Sequence, residues 1–128
     1  MKMSALTGLR VLVVENDEMN AMLLEMQLQQ AGASVIGPTG CVGEAVQLVK
    51  ERAPQAAILD YRLGDGETSE PVAKLLTTLG IPFVLATGIA PEQVPASFEA
   101  GSLLIKPYHA EDLVRSLIEA RRKVAADS

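Results

Sequence analysis

Val11-Leu12-Val13-Val14-Glu15-Asn16-Asp17 is a short apolar run that ends abruptly in polar and acidic side chains. It is too short for a helix, and an apolar run without alternation suits a strand covered on both faces, as in a parallel sheet. Comparable runs recur at fairly even intervals: Leu9–Val14, Ala33–Gly37, Gln55–Asp60, Pro82–Ala86 and Ser102–Lys106, each bounded by Gly, Pro or charge. Between them the spacing predicts helices. Glu18–Ala31 carries Met19, Met22, Leu23 and Met26 at helical spacing, with Gly32 at the stop. Gly43–Arg52 carries Ala45, Val46 and Val49 and ends before Pro54. Glu70–Leu79 has Pro71 near its start and an apolar stripe of Val72, Leu75, Leu76 and Leu79. Pro91–Ala100 reads as the weakest helix, because Pro95 sits about a turn inside it and costs about 3 kcal/mol in a helix interior. Ala110–Ala126 is the last, with Glu111 and Asp112 early and Arg121, Arg122 and Lys123 late, both favoured by the helix dipole.

Strand and helix thus alternate five times. Crossovers of helix length impose parallel strands with right-handed connections, so the expectation is an open, doubly wound α/β sheet with helices on both faces. No linker, repeat or low-complexity tract appears, and residues 1–128 read as one domain.

Composition narrows the function. Hydrophobic residues make up 48% of the 128, enough for a buried core, while aromatics are 3% with no Trp, so that core is aliphatic. Eleven basic residues stand against sixteen acidic ones, a net charge of -5, which argues against a nucleic-acid partner. The single cysteine, Cys41, excludes a disulfide scaffold and a cysteine-rich zinc site. No run approaches the roughly 20 apolar residues of a membrane span, and Met1–Arg10 lacks the apolar stretch of a signal peptide. A soluble cytoplasmic protein with no membrane partner is the expectation.

Ligands of open α/β sheets bind outside the carboxyl ends of the strands. There the chain places Glu15-Asn16-Asp17, Asp60, Ala86-Thr87-Gly88 and Lys106-Pro107. Carboxylates from neighbouring strand ends suit a hard cation such as Mg²⁺, and a carboxylate can be a nucleophile toward a phosphoryl group. An ammonium and a hydroxyl would offset and hydrogen-bond the phosphoryl oxygens. The set is self-consistent for phosphorylation of Asp60.

These residues carry a resemblance. Val11–Asp17 (VLVVEND), Ile58–Leu63 (ILDYRL), Val84–Gly88 (VLATG) and Ile105–Pro107 (IKP) together resemble the receiver domain of response regulators, over the whole chain. The resemblance implies a flavodoxin-like (βα)5 fold with sheet order 2-1-3-4-5 and a cis Lys106–Pro107 bond. It implies Asp60 as phosphoacceptor for a sensor histidine kinase or histidine phosphotransferase, with Mg²⁺ held by Glu15, residue 16 (here Asn16), Asp60 and the main-chain carbonyl of Arg62. It further implies Thr87 and Lys106 as phosphate contacts, joined by the Gly88 backbone. Output would pass to a downstream protein partner through the face of strand 4, helix 4, strand 5 and helix 5, and a homodimer is compatible with it. Such a domain is a phosphoacceptor and not an enzyme with a substrate to turn over. Pro82–Gly88 is similar to stand-alone alphaproteobacterial receivers with a Phe-Ala-Thr-Gly signature, which often work with kinases of the HWE/HisKA2 type. Here Leu85 replaces the signature Phe, and Ile89-Ala90 its aromatic end.

Two departures matter. Asn16 stands where the family usually has a second acid, so the cation loses one ligand charge. Leu103 stands where the family commonly has an aromatic paired with the Thr hydroxyl, so that coupling cannot operate; output must then use packing or the loop from Gly88 to Pro95. These departures support an alternative, a degenerate receiver that acts as a phosphorylation-independent interaction module. A flavin or dinucleotide enzyme is disfavoured: the first strand leads into Glu15-Asn16-Asp17-Glu18, which repels phosphate, and no Gly-x-Gly-x-x-Gly follows. A phosphatase of the haloacid-dehalogenase type would have Asp where Arg62 stands. His109 reads as a helix-start residue, Cys41 as a loop residue, the methionines of the first helix as core or a partner-facing stripe, and Arg121-Arg122-Lys123 as a solvated helix end.

Overall fold

A computed structural model describes residues 5–127; the first four residues of the stretch read above for a leader, and residue 128, lie outside it. Five parallel strands form one sheet in the order β2-β1-β3-β4-β5: β1 (Arg10–Val14), β2 (Ser34–Thr39), β3 (Ala56–Asp60), β4 (Phe83–Thr87) and β5 (Ser102–Ile105). β3 and β4 are buried almost along their length, as continuous apolar runs in a parallel sheet should be. β2 extends two residues past the expected end at Gly37, through a cis Gly37–Pro38 bond and a local irregularity of register opposite β1. The expected cis Lys106–Pro107 bond is present.

Helices cover both faces. On one side α1 (Glu18–Gln30) and α4 (Ala110–Asp127) place Leu24, Leu28, Leu113 and Leu117 against Val11, Val13, Ile58 and Val84. On the other, α2 (Val42–Arg52) and α3 (Glu70–Leu79) place Ala45, Val49, Val72 and Leu76 against Leu12, Leu59, Phe83 and Leu85. α1 starts where the Asp17 carboxylate accepts the Asn20 N–H at 2.9 Å. It stops at Gly32, whose φ of +97° and contact with Thr7 leave no room for a side chain.

The fourth helix of the expected (βα)5 pattern, between β4 and β5, is absent; the expected last helix is α4. Pro91–Gln93 and Ala96–Phe98 each form a single 3₁₀ turn instead of one helix over Pro91–Ala100. Proline pushes the residue before it out of the helical region. Val94, before Pro95, sits at ψ 126°, so the first turn cannot continue. The crossover is held from outside instead. Phe98 is buried in the core, Ser97 Oγ donates to Glu70 Oε2 at 2.9 Å, and Lys123 Nζ donates to the carbonyls of Glu99 and Gly101. Lys123 is therefore a crossover clamp and not part of a purely solvated helix end.

The stripe on α1 also differs from one of its two readings. Its core residues are Ala21, Leu24 and Leu28, whereas Met19, Met22, Leu23 and Met26 are all at least half exposed. It is a surface stripe beside the site.

Candidate functional site

Because all strands run the same way, their carboxyl ends share one edge of the sheet. β1 and β3 are neighbours there, and the chain leaves them in opposite directions across the sheet, the position where such sheets open a crevice. Glu15 follows β1, Asp60 ends β3, Thr87 ends β4 and Lys106 follows β5.

Three of these meet. Lys106 crosses from β5 so that its Nζ lies 3.4 Å from Glu15 Oε1 and 3.5 Å from Asp60 Oδ1. Each carboxylate is also tied by a main-chain donor: Asp17 N–H to Glu15 Oε2 at 3.1 Å, and Tyr61 N–H to Asp60 Oδ1 at 2.9 Å. Oδ2 of Asp60 takes part in neither the Lys106 nor the Tyr61 contact. Glu15 is only 4% exposed. Burial pushes its carboxyl above the ordinary range and the Asp60 charge adds to this, while the Asp17 N–H and the Lys106 ammonium oppose it.

Thr87 is buried, and its hydroxyl accepts the Ile89 N–H at 3.2 Å, which turns the chain into the fourth crossover. Its carbonyl accepts the Lys106 N–H at 2.9 Å, fixing the base of the lysine. No side-chain contact joins Thr87 to Asp60 or Lys106. Gly88 is exposed with open space beside it, so its backbone is accessible. Asn16 is exposed, with Gly40 packed against its Cα so closely that a side chain at residue 40 would collide with it. Asp17 is spent on the helix cap and does not replace the missing acid.

After Asp60 the chain forms a small hairpin. Ser69 N–H donates to the Tyr61 carbonyl and Leu63 N–H to the Glu67 carbonyl, which leaves the Arg62 carbonyl out of both bonds. Asp65 at its tip has a φ of 57° between two glycines. Among the described residues no group of three or more His, Cys, Asp or Glu side chains forms a metal cluster. The residues that could hold a cation at this edge are the Glu15 and Asp60 carboxylates, both in contact with Lys106, and, close to them in sequence, the Asn16 amide oxygen and the Arg62 carbonyl. All of these are oxygen donors, the kind a hard cation such as Mg²⁺ takes.

Sequence reasoning gave Tyr61 and Tyr108 no role. The Tyr61 ring lies edge-on to Phe98 with centroids 5.8 Å apart, and the Arg62 guanidinium lies 5.6 Å from the same ring. Tyr108, partly buried and directly after Pro107 in the chain, has its phenol pushed up to about 12 by burial, with the Glu15 and Asp60 charges adding to the effect. An aromatic directly after Asp60 was the available signal for Tyr61. His109 and Cys41 lie where expected, at the N-terminal ends of α4 and α2, and both are exposed.

Solved structures similar to this chain include receiver domains. The solution structure of SdrG from Sphingomonas melonis Fr1 is 36% identical with a TM-score of 0.77, over 92% of this chain and 98% of that one. The signal receiver domain of a modulated diguanylate cyclase from Desulfovibrio desulfuricans G20 is 27% identical at a TM-score of 0.77, over 93% and 98% of the two chains. The response regulator PhyR from Brucella abortus is 25% identical at 0.73, over 91% of this chain but only 51% of that one. No family model matches the sequence, and no curated protein is similar enough to match. The chain belongs to the receiver domains of response regulators. Among the described residues no helix is long and apolar enough to cross a membrane.

Proposed function

We propose that this receiver is a phosphoacceptor of two-component signalling, modified on Asp60 by a phosphohistidine donor on a sensor kinase or histidine phosphotransferase in the cytoplasm. The observation that carries the reading is the Lys106 ammonium set between the Glu15 and Asp60 carboxylates at the sheet edge. An Asp60 carboxylate oxygen forms the bond to phosphorus as the P–N bond to the donor imidazole breaks, and the electron pair stays on the ring nitrogen. Lys106 is in reach to pair with a phosphoryl oxygen, and Thr87 Oγ1 and the Gly88 N–H are the hydrogen-bond donors at the neighbouring strand end. Mg²⁺, held by Glu15, Asn16, Asp60 and the Arg62 carbonyl, would supply charge neutralisation when bound. This chemistry is mainly positioning and electrostatics, so a rigid strand edge suffices. The exposed stripe Met19, Met22, Leu23 and Met26 begins two turns or less from Glu15 and offers a pliable apolar surface for the donor.

A second reading, a phosphorylation-independent interaction module, is favoured by Asn16 and Leu103. Incubation with acetyl phosphate across a Mg²⁺ titration, read by intact mass, separates the two. The phosphoacceptor reading expects a Mg²⁺-dependent phosphoryl adduct that disappears in Asp60→Asn. Absence of an adduct both with acetyl phosphate and with a phosphohistidine donor would leave the interaction module.

A further inference from the structure

The Thr–aromatic coupling of the family is missing here, because Leu103 has neither ring nor polar atom. The chain has four aromatic residues, two Phe and two Tyr, and three of them form one row. Tyr61 meets Phe98 with centroids 5.8 Å apart at 67°, and Phe98 meets Phe83 at 6.5 Å and 71°. The row starts at the residue whose N–H donates to Asp60 and ends in the core of β4, with the second turn of the fourth crossover between them. On that basis we infer that Tyr61 is the positioning residue that couples Asp60 to the fourth crossover, doing through Phe98 what the absent aromatic at residue 103 does not.

The physical link is the hydrogen bond. An ionised carboxylate accepts an N–H about twice as strongly as a neutral oxygen does. Forming an acyl phosphate removes the carboxylate charge, so the bond from Tyr61 N–H to Oδ1 weakens and the Tyr61 backbone gains freedom. The ring is held between the Arg62 guanidinium and the edge of Phe98, so its motion passes to Phe98. Edge-to-face pairs are directional, and a small rotation changes the contact. Phe98 is flanked by anchors, Ser97 to Glu70 on one side and Lys123 to the Glu99 and Gly101 carbonyls on the other. The ring of Phe98 can turn between them, and the segment left to respond is 88–96, between Thr87 and the first anchor.

This coupling rests on the phosphoacceptor reading for its biological trigger, but it can be tested without phosphate. Amide hydrogen exchange over residues 88–101 would be compared in Asp60→Ala, which removes the acceptor for Tyr61 N–H, and Asp60→Asn, which keeps one. Each would be made in the wild-type, Tyr61→Leu and Tyr61→Phe backgrounds. Asp60→Ala is expected to speed exchange of the crossover about fivefold in the wild-type and Tyr61→Phe backgrounds, with at most about a twofold change for Asp60→Asn. In Tyr61→Leu the Asp60→Ala change should add nothing. An equal response in Tyr61→Leu, or none in the wild-type background, overturns the coupling. Acetyl phosphate labelling of the wild-type protein in parallel decides the phosphoacceptor reading separately: an adduct on Asp60 without a Tyr61-dependent crossover response sinks the coupling alone.

Discussion

Asn16→Asp restores the missing acid and tests how the site handles a cation. Asn16 is exposed, so the added charge acts through a water-like dielectric. One unit charge about 4 Å from another is worth about 1 kcal/mol in water, and a divalent cation doubles this to about 2 kcal/mol. That corresponds to roughly thirtyfold tighter Mg²⁺ binding. The neighbouring carboxylates of Glu15 and Asp60 have only Lys106 between them, so a third acid also raises the energy of the cation-free protein and acts in the same direction. Isothermal titration calorimetry with Mg²⁺ alone reads the affinity directly. Repeating it at high salt should shrink the gain, because an exposed charge is screened within about 8–10 Å. A change under about threefold at low salt would refute the reasoning, since residue 16 would then not face the cation.

Two further perturbations follow. A Cβ on Gly101 would collide with Phe83 Cε1 and lie 2.7 Å from the Phe83 carbonyl oxygen. Gly101→Ala should therefore cost about 1–3 kcal/mol by overpacking a buried ring, read from urea denaturation; an unchanged midpoint would mean that the crossover yields easily. For Tyr108, the folded-state pKa of about 12 lies above the unfolded value near 10. Between those pH values the folded protein keeps a proton that the unfolded chain has lost, so stability is complete below about pH 10 and falls as pH rises toward 12. Tyr108→Phe should flatten this alkaline loss, and an equally steep loss in the variant would place its origin elsewhere.

Much of the fold was legible because its signals are local. Runs such as Val11–Val14 and Ala56–Leu59 read as two-sided strands, and alternation with helices dictates a parallel sheet. A parallel sheet brings every strand end to one edge, which is why Glu15, Asp60, Thr87 and Lys106 could be singled out together. Less legible was α1, which carries apolar residues on more than one face. Leu24 and Leu28 turn inward while Met19, Met22, Leu23 and Met26 stay outside, and spacing alone cannot choose between them. The failure of the fourth crossover to form a helix had its cause in plain view at Val94-Pro95, but one proline penalty does not say whether tertiary packing will override it.

The sequence by itself determined the element order, the parallel sheet and the carboxylates, hydroxyl and ammonium at its edge, because steric and solvation rules act over a few residues. Only the tertiary structure decided that Lys106 reaches both Glu15 and Asp60, that Tyr61 packs on Phe98, and that Lys123 clamps the crossover at Glu99 and Gly101. Those contacts join residues 22 to 91 positions apart. Their partners follow from strand order, register and the packing of helices on the sheet, which no local pattern encodes.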